Sequence, residues 1–336
     1  MLPLHCFCST KQEAMLRVGV FGAGHLGKIH LKLLKEIPQY DVVGFYDPDD
    51  HNAEQVAAQY NVTRFADAAQ LMQQIDAADI VTPTIYHFET ARLAVAHRKH
   101  FFVEKPLAGT PHEALAMVQM ARQAGIKAQV GHVERFNPAF LAIKHLPLQP
   151  KFVETHRLAQ FNPRGTDVSV VLDLMIHDID ILLSLVKDEV KEVKANGVAV
   201  ISSTPDIANA RIEFAGGCVA NLTASRLSLK NMRKTRIFQP NAYISIDFLE
   251  KQTEIVQLAN QPHKNFPSFE IYPDATQNPK FLLFNKPTIE PVNAIKMELT
   301  LFAESILHNT PEEVPIEDGL RSIELAYRVM EAMTNS

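Results

Sequence analysis

The chain has 336 residues, 46% hydrophobic and 21% charged, which is long enough for two cores and ordinary for a globular fold. A formal net charge of -5 and an isoelectric point near 6.3 leave no basic footprint for nucleic acid. No apolar run approaches the roughly 18 residues that span a bilayer, and three cysteines (Cys6, Cys8, Cys218) make no disulfide framework, so a cytoplasmic, reducing setting is expected.

Residues 1–14 lack the charged and apolar regions of a signal peptide. They read as an unstructured extension without function, with Met15 as an alternative start. From Leu16 the pattern is regular. The run LRVGVF (16–21) is an apolar strand; after a glycine turn, a helix carries Leu26, Ile29, Leu33 and Ile37 on one face and ends before Pro38. Strands are expected at 41–46, 78–84, 99–106 and 126–133, with helices near 52–60, 86–97 and 111–124. This alternation predicts an α/β domain with a doubly wound parallel sheet over residues 15–135.

Beyond 135 the order of elements changes. A helical link (137–145), a strand (152–160) and a long helix (168–186) precede strands at 191–201, 207–214, 217–226, 233–239, 242–248 and 252–257. Gly216-Gly217 reads as a hairpin turn. Two helices, 293–308 and 317–333, close the chain. Strands in succession predict an α+β domain with an open, mostly antiparallel sheet over 136–336. It is expected to supply the substrate pocket and to return its last helices to the first domain.

The turn Gly22-Ala23-Gly24-His25-Leu26-Gly27 lies between a strand and a helix. Its glycines permit a tight turn, close approach of a pyrophosphate, and close helix packing, while the helix N-terminus offers N–H groups to phosphate. Asp47, twenty positions after Gly27, ends the next strand, where a carboxylate accepts from ribose hydroxyls and repels a 2′-phosphate. NAD is therefore expected over NADP. A plain turn followed by a loop acid is the alternative.

Lys105 lies at the C-terminal end of the strand expected at 99–106, the edge where ligands bind in such sheets, with Glu104 beside it to orient the lysine or to contact the nicotinamide side of the cofactor. A desolvated ammonium there can hydrogen-bond a reacting oxygen, although a lysine after a strand is also a common solvated loop residue. The segment VVLDLMIHDIDILLSLV (170–186) is apolar nearly all round and reads as a buried helix. Asp173 and His177 are four apart, hence on one face. They suit a base oriented by a carboxylate, or a structural ion pair; a metal site lacks a second ligand cluster. Thr82, Pro83 and His87 are further candidates for the cofactor edge, with a structural role as the alternative for His87. Arg135, Asn137 and Arg164 are candidates for the substrate, the arginines for an anionic group, with tying the two domains together as the alternative for Arg135.

Four segments in this order resemble the Gfo/Idh/MocA oxidoreductases. They are Gly22–Gly27 with Asp47, Thr82-Pro83 with His87, Glu104-Lys105-Pro106, and Asp173 to Asp178. The likeness spans residue 16 to about 335. It implies a Rossmann domain followed by an open-sheet domain, NAD-dependent oxidation of a secondary sugar hydroxyl, and Lys105, Asp173 and His177 as the catalytic set. It also implies homodimers or homotetramers built on the second sheet. The segment around Gly131-His132-Val133-Glu134-Arg135 resembles a branch that oxidises the 3-hydroxyl of UDP-N-acetylglucosamine. A free sugar or inositol substrate is the alternative, and a non-catalytic NAD- or sugar-sensing regulator is an alternative of another class.

Overall fold

Strands buried on both faces read as continuous apolar runs, and those of the first domain do so. The computed structural model describes residues 15–162, 168–272 and 278–334. The first domain runs β1 (Leu16–Phe21), α1 (His25–Leu34), β2 (Tyr40–Tyr46), α2 (Asp50–Tyr60), β3 (Arg64–Phe65), α3 (Ala68–Gln74), β4 (Ala77–Ile80), α4 (His87–Ala96), β5 (His100–Glu104), α5 (Pro111–Ala124) and β6 (Ala128–Gly131). All neighbours pair in parallel, in the order β3-β2-β1-β4-β5-β6. The order reverses between β1 and β4, which opens a crevice beyond their C-terminal ends. The periodic pattern of the sequence does not show β3 or α3; α3 is a short helix begun by Asp67, whose side chain accepts from the Ala69 and Gln70 N–H groups. β4 stops at Ile80 rather than at 84, so Thr82 and Pro83 lie in the loop over that crevice.

A short helix α6 (Pro138–Leu141) leads to β7 (Phe152–Leu158). A π-helical turn, Val171–Met175, then runs into α7 (Ile176–Leu185). The strands that follow are β8 (Val190–Val198), β9 (Ile207–Phe214), β10 (Val219–Ser225), β11 (Met232–Gln239), β12 (Ala242–Asp247), β13 (Gln252–Ala259), β14 (Ser268–Ile271) and β15 (Lys280–Asn285). They form a nine-stranded sheet in the order β14-β15-β13-β12-β11-β7-β10-β9-β8, antiparallel except where β10 meets β7. Gly217, at φ +82°, makes the expected turn between β9 and β10. One face packs Val153, Ala210, Ile212 and Leu222 against Val171, Ile179 and Leu182. On the other face Phe152, Phe238, Tyr243, Val256 and Phe284 stand in register across five strands.

The last helices, α8 (Ala294–Leu307) and α9 (Ile316–Thr334), return to the first domain. Leu299, Phe302 and Ala303 complete a core with Val18, Leu31 and Leu34. Val314, Ile316 and Ile323 complete another with Val103, Met117 and Val130. Each large apolar side chain buried in this way stabilises by about 1.5–3 kcal/mol. No described helix is long and apolar enough to cross a membrane.

Candidate active site

The glycine turn leaves a helix end free for an anion. Gly22 has φ +95°, and a Cβ there would meet the Thr82 nitrogen and the Val81 carbonyl at 2.8 Å. A Cβ on Gly27 would collide with the Gly22 carbonyl oxygen, so α1 closes on the turn only without a side chain. Nothing lies within 4 Å of a Cβ built on Gly24, which leaves space for a ligand. The helix begins with neither a side-chain cap nor an acid in its first turn, and its first N–H groups face that space.

Asp47 is fixed by the turn it serves. Its Oδ2 accepts the Ala23 N–H at 2.7 Å and its Oδ1 the Asp49 N–H at 3.0 Å. Gly22, Gly24, His25, Leu26, Asp47, Thr82 and Pro83 all border one cavity of about 880 Å³, within the range of cofactor pockets. The Thr82 hydroxyl is buried beside it without a hydrogen-bond partner among the described residues, a group that a ligand would satisfy. These features fit a dinucleotide.

Ala23 is fully buried behind the turn and offers its N–H to Asp47 rather than to a ligand. His87 is also buried and does not border the cavity. Its Nδ1 is 2.9 Å from the Pro106 carbonyl and its Nε2 is 2.9 Å from that of Thr82. Burial holds its pKa below the usual value, and a neutral ring has one N–H to share between them. It braces the loops after β4 and β5, in place of the expected cofactor contact.

β5 ends on Glu104 and delivers Lys105 just beyond its C-terminal end. The Lys105 Nζ donates to the Asp173 backbone carbonyl at 3.1 Å and stands 3.9 Å from the Asp173 Oδ1. Burial lowers the lysine pKa, against the opposing pull of Asp173 and Glu104. Glu104 faces inward rather than toward a cofactor: its Oε2 accepts the Lys105 N–H at 3.1 Å and its Oε1 lies 3.4 Å from the His30 ring.

Asp173 sits in the π-helical turn and His177 in the first turn of α7. Their side chains do not pair as the four-residue spacing suggests: Asp173 meets Lys105, and the His177 Nδ1 is buried without a partner among the described residues. Burial, followed by the charges of Lys105 and Arg157, pushes the His177 pKa well below its usual value, so the ring is neutral. It borders a small cavity of about 150 Å³ together with Arg157, Asn231 and Arg233.

The other polar groups near α7 are paired within the fold. Arg135 reaches both oxygens of Asp180 at 2.7 Å and Asp318 of α9 at 3.2 Å. Arg157 holds both oxygens of Asp178, at 2.9 and 3.0 Å, and Glu134 at 3.0 Å. Asn137 caps α6 and donates to Glu134 and to the Phe248 carbonyl. Arg135 and Asn137, expected at the substrate, are thus occupied in joining α7, α9 and the sheet, because a buried guanidinium requires compensating carboxylates. Arg164 lies outside the described residues.

Two family models match. Residues 16–132 match the oxidoreductase family with an NAD-binding Rossmann fold, and residues 149–244 match the GFO/IDH/MocA C-terminal domain. The chain belongs to the GFO/IDH/MocA oxidoreductase family. It is 37% identical over 241 residues to the UDP-N-acetylglucosamine 3-dehydrogenase of Acidithiobacillus ferrooxidans, covering 71% of this chain and 76% of that one. It is 31% identical over 237 residues to the NAD-dependent scyllo-inositol 2-dehydrogenase of Bacillus subtilis, covering 64% and 69%. The solved structure of the Acidithiobacillus enzyme superposes with a TM-score of 0.85 at 31% identity, over 96% of this chain and 98% of that chain.

This GFO/IDH/MocA chain also holds a buried polar group behind Lys105 that the sequence reading misses. His30 of α1 lies with Nδ1 3.0 Å from Asp79 of β4 and Nε2 3.4 Å from Glu104. Burial opposes a charge on the ring, but Asp79 and Glu104 outweigh it and hold the His30 pKa well above its usual value. Glu298 of α8 is fully buried against the same group, and burial raises its pKa strongly. The available signal is a histidine in the middle of the apolar stripe of α1, four residues from both Leu26 and Leu34. Among the described residues no cluster of His, Cys, Asp and Glu could hold a metal ion.

Proposed function

We propose that this oxidoreductase uses NAD to oxidise the 3-hydroxyl of UDP-N-acetylglucosamine to a ketone. The observation that carries the reading is Lys105, anchored on the Asp173 carbonyl just past the C-terminal end of β5, with its charge felt by a neutral His177. The identity to the Acidithiobacillus enzyme supports the substrate. Bound NAD supplies the hydride acceptor. Lys105 hydrogen-bonds the reacting oxygen and places positive charge beside it as the carbonyl forms. His177 accepts the hydroxyl proton at the ring nitrogen opposite its buried Nδ1. Asp173 holds Lys105 in line. Asp47 accepts from the adenosine ribose hydroxyls and repels a 2′-phosphate, which favours NAD over NADP.

The test is NADH formation with a panel of sugar nucleotides, free sugars and inositols. Turnover of UDP-N-acetylglucosamine that Lys105→Ala abolishes supports the proposal; turnover of a free hexose alone sinks it. Oxidation of an inositol is a second reading, favoured by the 31% identity to the scyllo-inositol enzyme. The same panel separates the two.

Residues 15–135 are then the NAD domain and 136–336 the substrate and assembly domain, in a cytoplasmic setting consistent with the few cysteines. The aromatic row on the open face of the second sheet supports a homo-oligomer built on that face. Phe238 lies between Phe152 and Tyr243 in tilted contacts, with ring centres 5.8 and 5.0 Å apart, and remains 39% exposed. Light scattering on the wild type and on Phe238→Glu tests this: the variant should dissociate, and a monomeric wild type defeats the idea.

A further inference from the structure

A sugar nucleotide carries a diphosphate on C1 of the sugar, so a pocket that takes it should offer that group a cation beyond the reacting carbon. Arg135 is engaged by Asp180 and Asp318. The neighbouring strands carry two further guanidinium groups, Arg157 on β7 and Arg233 on β11, paired directly across the sheet. Their situations differ. The Arg157 side chain is 3% exposed and fully engaged by Asp178 and Glu134. The Arg233 side chain is 50% exposed, and its nearest carboxylate, Glu134, stands 3.6 Å away while already bonded to Arg157.

Glu134 thus offsets Arg233 only weakly and leaves its fork of N–H donors available. Such a fork matches the oxygens of a phosphate in two parallel hydrogen bonds. Arg233 borders the same 150 Å³ cavity as His177, a space suited to a phosphate rather than to a whole nucleoside. Asn231 borders it too, fixed by the Gln160 N–H on its Oδ1 at 3.0 Å. Lys105, Arg157 and Arg233 all disfavour a positive charge on His177, which marks a positive field in this corner.

We propose that Arg233, flanked by Asn231, is the anion subsite of the substrate pocket and takes the diphosphate of the sugar nucleotide. The inference rests on the sugar-nucleotide reading above, and its test is made separable from it. UDP serves as the probe, since it carries the diphosphate and cannot be oxidised.

Calorimetric titration of UDP into the wild type, Arg233→Gln and Arg233→Lys should show binding weakened by about 10- to 100-fold in the glutamine variant and less in the lysine variant. NAD affinity and melting temperature, measured on the same samples, should stay at wild-type values and so exclude misfolding. The Michaelis constant for UDP-N-acetylglucosamine should rise in Arg233→Gln with little change in turnover number. Equal UDP affinity in wild type and Arg233→Gln overturns the assignment, as does a wild type that does not bind UDP. UDP binding that depends on Arg233, without oxidation of any UDP-sugar, upholds the subsite and refutes the oxidation reading instead.

Discussion

The Lys105 ammonium is anchored at 3.1 Å by the main-chain carbonyl of Asp173, while the carboxylate of that residue stands back at 3.9 Å. The anchor therefore survives changes to the Asp173 side chain. Lys105→Met should lower the turnover number by about 10²- to 10³-fold, the usual cost of losing a donor to a developing charge, and leave NAD affinity unchanged. Asp173→Asn should cost less than Lys105→Met. Steady-state kinetics with NAD titration check the order, and a larger loss in Asp173→Asn would remove Lys105 from the centre of the chemistry.

His30 and His177 should give stability opposite pH dependences. His30 has a raised pKa in the fold, so its contribution is complete below the unfolded value of about 6.5 and is lost as pH rises through the folded value. His177 has a depressed pKa, so its cost appears as pH falls below about 6.5. Relative to wild type, His30→Gln should lose melting temperature most in acid, and the deficit should shrink as pH rises. His177→Gln should gain on the wild type as the solution is acidified. Thermal melts over a pH series show both slopes; parallel curves for all three proteins contradict the assignment.

Cofactor choice should reside at Asp47. Asp47→Asn keeps a side-chain oxygen for the Ala23 N–H yet removes the charge that opposes a 2′-phosphate. It should weaken NAD by roughly tenfold, the scale of one charge-assisted hydrogen bond, and bring NADP closer to parity. Fluorescence titration with both dinucleotides reads the ratio. An unchanged ratio would place the discrimination elsewhere.

Gly27→Ala should abolish dinucleotide binding, because the new methyl meets the Gly22 carbonyl and forces α1 away from the turn. NAD titration is the measurement. Retained affinity would show that the turn relaxes without cost.

Arg135 should matter to stability rather than to substrate. With its side chain 12% exposed and that of Asp180 at 1%, Arg135→Ala strands a buried carboxylate and should destabilise by about 3–5 kcal/mol. Urea denaturation measures the loss. A stable variant with a raised Michaelis constant would restore Arg135 to the substrate.

The parts legible in the sequence are those whose information is local. The glycine turn, Asp47 just after β2 and Lys105 just after β5 each depend on a strand boundary and a spacing; Gly22, Gly24 and Asp47 border the cavity of about 880 Å³, and Lys105 follows β5 directly. The helix over 170–186 is apolar nearly all round, so its pattern names no face and gives no sign of the π turn at Val171–Met175 or of the contact between Asp173 and Lys105. His30, Asp79 and Glu104 come together from three separate elements, and only the finished sheet makes them neighbours. The two arginine pairings were hidden for the same reason: Asp318 lies 183 positions from Arg135. β14 and β15 escaped because they lie at one edge of the sheet, are short, and alternate weakly in burial.

The return of α8 and α9 to the parallel sheet also bears on synthesis. A nascent chain that has passed β6 possesses every strand of its dinucleotide sheet but not Leu299, Phe302, Val314 or Ile323, which close the cores on either side of it. The first domain to leave the ribosome therefore waits for the last segment before it can finish folding. A prematurely terminated chain would present those apolar seams to proteases and chaperones, and incomplete copies would be cleared rather than accumulate as partial binders of the dinucleotide.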